Sequence, residues 1–219
     1  MRVAICGAGV IGAAIAYYLS RRGAEVIVLE RRGVACAASS KAGGFLALDW
    51  CRGSALDPLA RRSFLLHAAL PKEIGADWGY RRVATYSGFA IGDGNGAVRR
   101  NAALNWVSHR VTVAGRIGSP RTTALVDPGA FTAAMMRAAQ DRGAVLRLGQ
   151  VTGVTRTTDA SAVTGVDVAG ETIAADAVVI AMGPWSVLAA AWLPLPPVFA
   201  DKGHSVLFQT GSDIPAEAL

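Results

Sequence analysis

The chain has 219 residues, of which 52% are hydrophobic and 17% charged, a balance that excludes a disordered chain and suits one large domain or two small lobes. A chain of this size buries roughly 70% of the surface it would expose unfolded. Lys and Arg number 22 against 16 Asp and Glu, a net charge of +6. The positive residues are scattered as pairs (Arg21–Arg22, Arg31–Arg32, Arg61–Arg62, Arg81–Arg82, Arg99–Arg100) without interleaved aromatics, so they read as solvated surface rather than a nucleic-acid footprint, a favourable field for anionic substrates being the other reading.

Met1 is followed almost at once by a β-branched run, Arg2 to Cys6, which predicts a strand and leaves no room for a targeting peptide. The expectation is a cytoplasmic protein, with an organelle left open if the N-terminus is incomplete. Gly7-Ala8-Gly9-Val10-Ile11-Gly12 comes next. A helix is predicted from Ala13 to Arg22, with Ile11, Ile15 and Leu19 as its apolar stripe and Gly23 as a left-handed cap. Glu25 to Glu30 is the second strand, which completes a βαβ unit.

Residues 31–50 are rich in Ala, Ser and Gly and are expected to form a loop. Asp57-Pro58 opens a helix predicted to run to about Leu70 and stop before Pro71. Residues 74–126 alternate short apolar runs with Gly and Arg, as strands and loops of a second lobe would. Asp127-Pro128 repeats the cap signal for a helix striped by Phe131, Met135 and Ala139 and ended by Gly143. Strands are predicted at 144–148, 151–156, 162–168 and 171–174, the last two joined in a hairpin by Ala169-Gly170. Residues 177–182 (AVVIAM) read as a strand buried on both faces of a parallel sheet, closed by Gly183-Pro184. Pro194, Pro196 and Pro197 break the longest apolar stretch, which is too short to span a bilayer. The expected partners therefore include neither nucleic acid nor a membrane.

Cys6, Cys36 and Cys51 form no metal spacing and read as reduced thiols. His67, His109 and His204 are isolated, and no metal is expected.

The glycine motif carries chemistry because of where it lies. Gly7 turns the chain sharply out of the strand, Gly9 lets the backbone approach a pyrophosphate, and Gly12 lets the helix pack on the sheet. The unpaired N–H groups of the helix start then face the phosphates, and Val10 and Ile11 of the motif are expected to bind the cofactor. Glu30 lies 18 positions after Gly12, at the end of the second strand, where an acid accepts the adenosine ribose hydroxyls and repels a 2′-phosphate. Arg31 and Arg32 read as surface or ADP-proximal residues. The motif predicts a dinucleotide and does not separate FAD from NAD.

Beyond the motif, the sequence resembles the D-amino-acid oxidase superfamily, the group that includes glycine and sarcosine oxidases. The stretches ICGAGVIGAAIAYYLSRRGAEVIVLE, SSKAGGFLALDW (39–50), VDPGAFTAAMMRAAQDRGAVLRLGQVTGV (126–154) and ADAVVIAMGPWS (175–186) carry the likeness in order, and PVFADKGHSVLF (197–208) looks like a return into the substrate lobe. The resemblance implies FAD as cofactor and a small-molecule amine or amino acid as substrate. It implies oxidation beside the nitrogen to an imine, which water hydrolyses, with oxygen or another acceptor taking the electrons. By the same resemblance, Ser39 and Ser40 lie near the pyrophosphate or ribityl chain, Lys41, Gly43, Gly44 and Phe45 line the flavin, Val151 touches the adenine through its backbone, and Gly183 turns tightly against the cofactor. Trp185 is expected in the core or at an interface, with contact to the flavin as the lesser reading. An anionic substrate needs a clamp for its carboxylate, with Arg81, Arg82, Tyr80, Tyr86 and His109 as candidates and no basis for choosing among them. The catalytic residues stay unassigned.

The expected fold is α/β: a Rossmann-type FAD lobe with a parallel sheet (1–52 and 127–192) interleaved with an α+β substrate lobe (53–126 and 193–219). Members of the family continue beyond the point matching Leu219, so the chain reads as a truncated product with an incomplete substrate lobe and exposed sheet edges. Two other readings stay open: a non-catalytic flavoprotein with an assembly or regulatory role, and an NAD-dependent dehydrogenase.

Overall fold

The structure is a computed structural model that describes residues 1–90, 104, 106–108, 110–206 and 215–219. Its elements, in order, are β1 (Arg2–Cys6), α1 (Val10–Ser20), β2 (Glu25–Glu30), α2 (Ala38–Lys41), β3 (Phe45–Ala47), α3 (Asp57–Ile74), β4 (Arg81–Arg82), β5 (Ala84–Ala90), β6 (Val111–Gly118), β7 (Thr123–Leu125), α4 (Pro128–Gln140), β8 (Val145–Leu148), β9 (Val151–Arg156), β10 (Val163–Val168), β11 (Glu171–Ala174), β12 (Ala177–Ile180), a 3₁₀ helix (Gly183–Ala191) and β13 (Glu217–Ala218). They gather into two compact units. The first takes Met1–Gly43, Pro71–Trp78 and Asp127–Val206, and the second the described parts of Gly44–Leu70, Gly79–Val126 and Leu207–Leu219. The stretches 44–52, 71–78 and 193–206 thus fall in units other than those their sequence position suggests. For 44–52 the reason is pairing: Phe45 to Ala47 hydrogen-bond to Thr123 to Leu125.

The first unit is built on a parallel sheet of order β12-β1-β2-β8, with Ile5 registered against both Val28 and Val179. Successive side chains of a strand face opposite ways. Ala4, Cys6, Ile27 and Leu29 pack on Val151, Val166, Val168 and Ile173 of the antiparallel sheet β9-β10-β11. Val3, Ile5, Val26 and Val28 are equally buried and face the opposite way, toward the side where α1 packs. The β10–β11 hairpin turns through Ala169 and Gly170, both at positive φ (52° and 86°), as the sequence predicts.

Several elements depart from expectation for physical reasons. Helix α1 begins at Val10 rather than Ala13, because the glycine motif itself winds the first turn behind an extended Gly9. Its buried face is Gly12, Ala13, Ala16, Tyr17 and Ser20, whereas Ile11 is 61% exposed. Small residues on that face let the helix approach its neighbours closely, which a stripe of Ile and Leu would prevent. Helix α3 runs through Pro71 to Ile74, and the carbonyl of Pro71 accepts the N–H groups of Gly75 and Ala76 at 2.9 and 3.2 Å. A proline in the last turn removes one N–H without stopping the helix. Strand β12 is an edge strand, and all four of its residues are only half-buried, not enclosed on both faces.

Helix α4 follows the sequence reading closely. The Asp127 side chain accepts the N–H of Ala130 at 2.8 Å, and Phe131, Met135 and Ala139 are buried. Each fully buried large apolar side chain of this kind contributes about 1.5–3 kcal/mol. Tyr17 fastens the 71–78 segment within this unit. Its hydroxyl donates to Glu73 at 2.7 Å, Arg21 pairs with the same carboxylate, and Arg142 lies over the ring at 5.2 Å. Burial, and then the Glu73 hydrogen bond and charge, push the Tyr17 hydroxyl up from its ordinary value.

In the second unit the described strands form two sheets, β3-β7-β4 and β13-β5-β6. The buried Thr123 hydroxyl donates to the Val83 carbonyl at 2.7 Å. Among the described residues, no helix is long and apolar enough to cross a membrane.

Candidate functional site

A cavity of about 430 Å³ opens at the carboxyl end of the parallel sheet. This volume falls within the range of about 300–1,000 Å³ usual for small-molecule sites. Three strand ends build it. The turn after β1 supplies Gly7, Gly9, Val10 and Ile11; the end of β2 supplies Glu30 and Arg31; the turn after β12 supplies Gly183 and Trp185. Ser39 from α2, and Gln150 and Val151 at the start of β9, complete the wall.

Gly7 adopts φ +109°, and a Cβ there would lie 2.4 Å from the Ala181 carbonyl oxygen. A Cβ on Gly12 would lie 1.9 Å from the Gly7 carbonyl oxygen, so no other residue fits either position in this backbone. Gly9 differs, because its nearest neighbour would be the Ser39 hydroxyl at 3.1 Å, a side chain that can move. The start of α1 has no side-chain cap of its own and no acidic residue in its first turn. The first N–H groups of any helix have no intrahelical partner, and Ile11, the second helical residue, lines the cavity. The N–H of Val10 meets the Ser39 hydroxyl at 2.8 Å.

The Glu30 carboxylate accepts two backbone N–H groups, from Ala8 at 2.9 Å and from Arg32 at 3.0 Å. Ala8 is fully buried, and its carbonyl accepts the N–H of Ala35, held at φ +57°, at 3.1 Å. The glycine turn is thus tied from both sides to the segment after β2. A carboxylate has about four acceptor directions, so two remain for hydroxyl donors. Cys6 lies buried at the cavity floor, and burial pushes its thiol up from 9.0 to about 12.

The structure therefore gathers Gly7, Gly9, Val10, Ile11, Glu30, Arg31, Ser39, Val151 and Gly183 around one cavity. Gly12 sits behind it as a packing residue. Ser40 packs against the start of α4, where a Cβ on Gly129 would lie 3.3 Å away, and Ser40, Lys41 and Gly43 do not line the cavity. Gly44, at φ +70°, belongs to the second unit, where its carbonyl accepts the N–H of Val126 at 2.9 Å. Trp185 is not a core residue: it is 38% exposed, lines the cavity, and has the Arg31 guanidinium 4.2 Å from its ring centre. Gln150 and Leu188 also line the cavity, and no motif marks them in the sequence.

Of the candidate clamp residues in the second unit, Arg82 is committed internally. It lies 4.5 Å over the Phe64 ring and reaches the carbonyls of Pro120 and Arg121 at 3.4 and 3.3 Å. The Tyr80 hydroxyl is buried with no hydrogen-bond partner among the described residues, Arg81 is exposed, and Tyr86 lies on β5 opposite Arg116. His109 lies outside the described residues.

A parallel sheet with a glycine turn, a bare helix start and a strand-end acid defines a dinucleotide-binding fold. A family profile described as FAD dependent oxidoreductase (DAO) matches residues 2–218, and the chain belongs to that family. It is 31% identical over 233 residues to glycine oxidase of Geobacillus kaustophilus (strain HTA426), an alignment that covers 94% of this chain and 60% of that protein. The crystal structure of glycine oxidase from Geobacillus kaustophilus superposes with a TM-score of 0.68 at 29% identity, over 86% of this chain and 58% of the other. The mouse mitochondrial pyruvate dehydrogenase phosphatase regulatory subunit is 32% identical over 133 residues, 58% of this chain and 14% of its own length. The chain thus spans less than two thirds of the lengths of these proteins.

Proposed function

We propose that the chain binds FAD through its first unit and serves an oxidoreductase that acts on amines or amino acids. The single observation behind this reading is the cavity at the carboxyl end of β1, where the start of α1 and a doubly anchored Glu30 converge. In this reading the N–H of Ile11 and the hydroxyl of Ser39, which holds the Val10 N–H, bind the diphosphate. Glu30 accepts the ribose hydroxyls, Val151 meets the adenine through its backbone, and Gly183 closes the turn beside the cofactor. Ser40 is assigned to the pyrophosphate or ribityl chain, and Lys41 and Gly43 to the flavin end.

FAD, when bound, supplies the hydride acceptor that such chemistry needs, while the protein supplies orientation and electrostatics. Cys6, Leu29 and Ile180 form an apolar part of the cavity lining. The second unit is the proposed substrate lobe. There, Tyr80, with its buried hydroxyl, and the exposed Arg81 are better placed to hold a carboxylate than Arg82, whose guanidinium is already engaged. Glycine and N-methylated amino acids head the substrate panel because of the similarity to glycine oxidase.

The test is the absorption spectrum of the purified chain, followed by identification of whatever denaturation releases. A yellow protein that yields FAD, bleached anaerobically by an amine or amino acid, is the expected result. A folded but colourless protein that ignores added FAD overturns the proposal. The similarity to the phosphatase regulatory subunit favours a second reading, a flavoprotein with a regulatory role. That reading predicts bound FAD with no bleaching by any amine and no oxygen consumption.

A further inference from the structure

The contact between Arg31 and Trp185 crosses the cavity in a way that the sheet order explains. Strands β12, β1 and β2 lie side by side in that order. Arg31 directly follows β2, Trp185 follows the turn after β12, and the glycine turn after β1 lies between them. A guanidinium 4.2 Å from the indole centre therefore spans the carboxyl end of β1, over the loop from which α1 starts. Both residues line the cavity.

Their backbones are fixed while their side chains are exposed. Next to Arg31, the Arg32 N–H is held by Glu30 at 3.0 Å. Trp185 follows Gly183 (φ +55°) and Pro184, and its N–H donates to the Met182 carbonyl at 3.1 Å. Trp185 is 38% exposed, and Arg31 is exposed too. Two side chains on rigid turns, touching through one stack, can part and re-form without disturbing the fold. A guanidinium carries five N–H donors, and a cation–π contact through its carbon leaves donors available for phosphate or ribose oxygens.

We propose that Arg31 and Trp185 form a clasp that retains the adenosine diphosphate half of the cofactor, closed over it when bound and open for entry and release. The proposal rests on the FAD reading above and adds to it the residues that set the cofactor's residence time.

The experiment follows FAD release from the 219-residue chain by flavin fluorescence after dilution. Arg31→Met and Trp185→Leu should each speed release by about three- to tenfold, the range of an exposed to partly desolvated cation–π pair. The double variant should release no faster than the faster single variant, because either change already removes the stack. Trp185→Phe, which keeps a ring, should release within about twofold of the wild type. Affinity for ADP alone should fall by the same factors as for FAD, and binding of FMN should not change. Melting temperatures of the ligand-free variants should fall by no more than a few degrees, since both side chains are exposed and one cation–π pair carries little of the fold. Release rates unchanged in the single variants, or effects that multiply in the double variant, overturn the clasp while FAD binding stands. A wild-type chain that binds neither FAD nor ADP overturns the clasp together with the reading beneath it.

Discussion

The carboxylate of Glu30 accepts the backbone N–H of Ala8 at 2.9 Å, which ties the end of one strand to the turn after its neighbour. Ala8 is fully buried, so without this acceptor its N–H would be left unpaired in the interior. A buried, unsatisfied donor costs about 1–3 kcal/mol. Glu30→Ala should therefore lower stability by about that amount in urea unfolding, even with no ligand present. Glu30→Gln retains an acceptor oxygen and should lose less. Equal stability of wild type and Glu30→Ala would show that the bond to Ala8 has no structural weight.

The glycines of the turn should separate into two kinds. Gly12→Ala places a Cβ 1.9 Å from a backbone oxygen that cannot move aside, and should fail to fold or melt far lower. Gly9→Ala meets only the Ser39 hydroxyl, at 3.1 Å, which can rotate away. That variant should keep its circular dichroism and melting temperature yet bind FAD at least about tenfold more weakly, because the methyl group occupies the backbone approach to the diphosphate. Gly9→Ala that binds FAD as the wild type does would remove Gly9 from the proposed site.

Asp127 caps α4 through its 2.8 Å bond from the Ala130 N–H. Asp127→Ala should cost about 1 kcal/mol, and Asp127→Asn only a fraction of that, as read from thermal or urea unfolding. FAD affinity should be the same in both, since Asp127 does not line the cavity.

Cys6 makes stability depend on alkaline pH. Burial raises its thiol from 9.0 to about 12 in the folded chain, so the unfolded chain gives up this proton first. The contribution is whole below about pH 9, declines as pH rises, and is exhausted near pH 12. Tyr17, also raised, acts in the same direction above its ordinary value of 10.0. Urea unfolding between about pH 8 and pH 10 should show the wild type losing clearly more stability than Cys6→Ala, which keeps only the Tyr17 contribution. Parallel curves for the two proteins would contradict the burial argument.

The order of the first strand, the glycine turn and the second strand was legible in the sequence because each is a local pattern. A β-branched run, a glycine spacing and an acid in register need no knowledge of the rest of the chain. Asp127-Pro128 and Ala169-Gly170 were legible for the same reason: a cap and a hairpin turn are set by the residues that form them. What the sequence could not supply depended on neighbours distant along the chain. The buried face of α1 is Gly12, Ala13, Ala16 and Tyr17, chosen by how closely the helix approaches the sheet, while hydrophobic periodicity pointed to Ile11, which turns to the cavity instead. Pro71 ends a helix by propensity, yet here it sits within the last turn. Trp185 reads as a core or interface residue, with cofactor contact a lesser reading, and only the adjacency of β12, β1 and β2 brings it onto Arg31. Local chemistry thus determined that this chain carries a nucleotide turn. Packing between residues more than a hundred positions apart decided which side chains surround it.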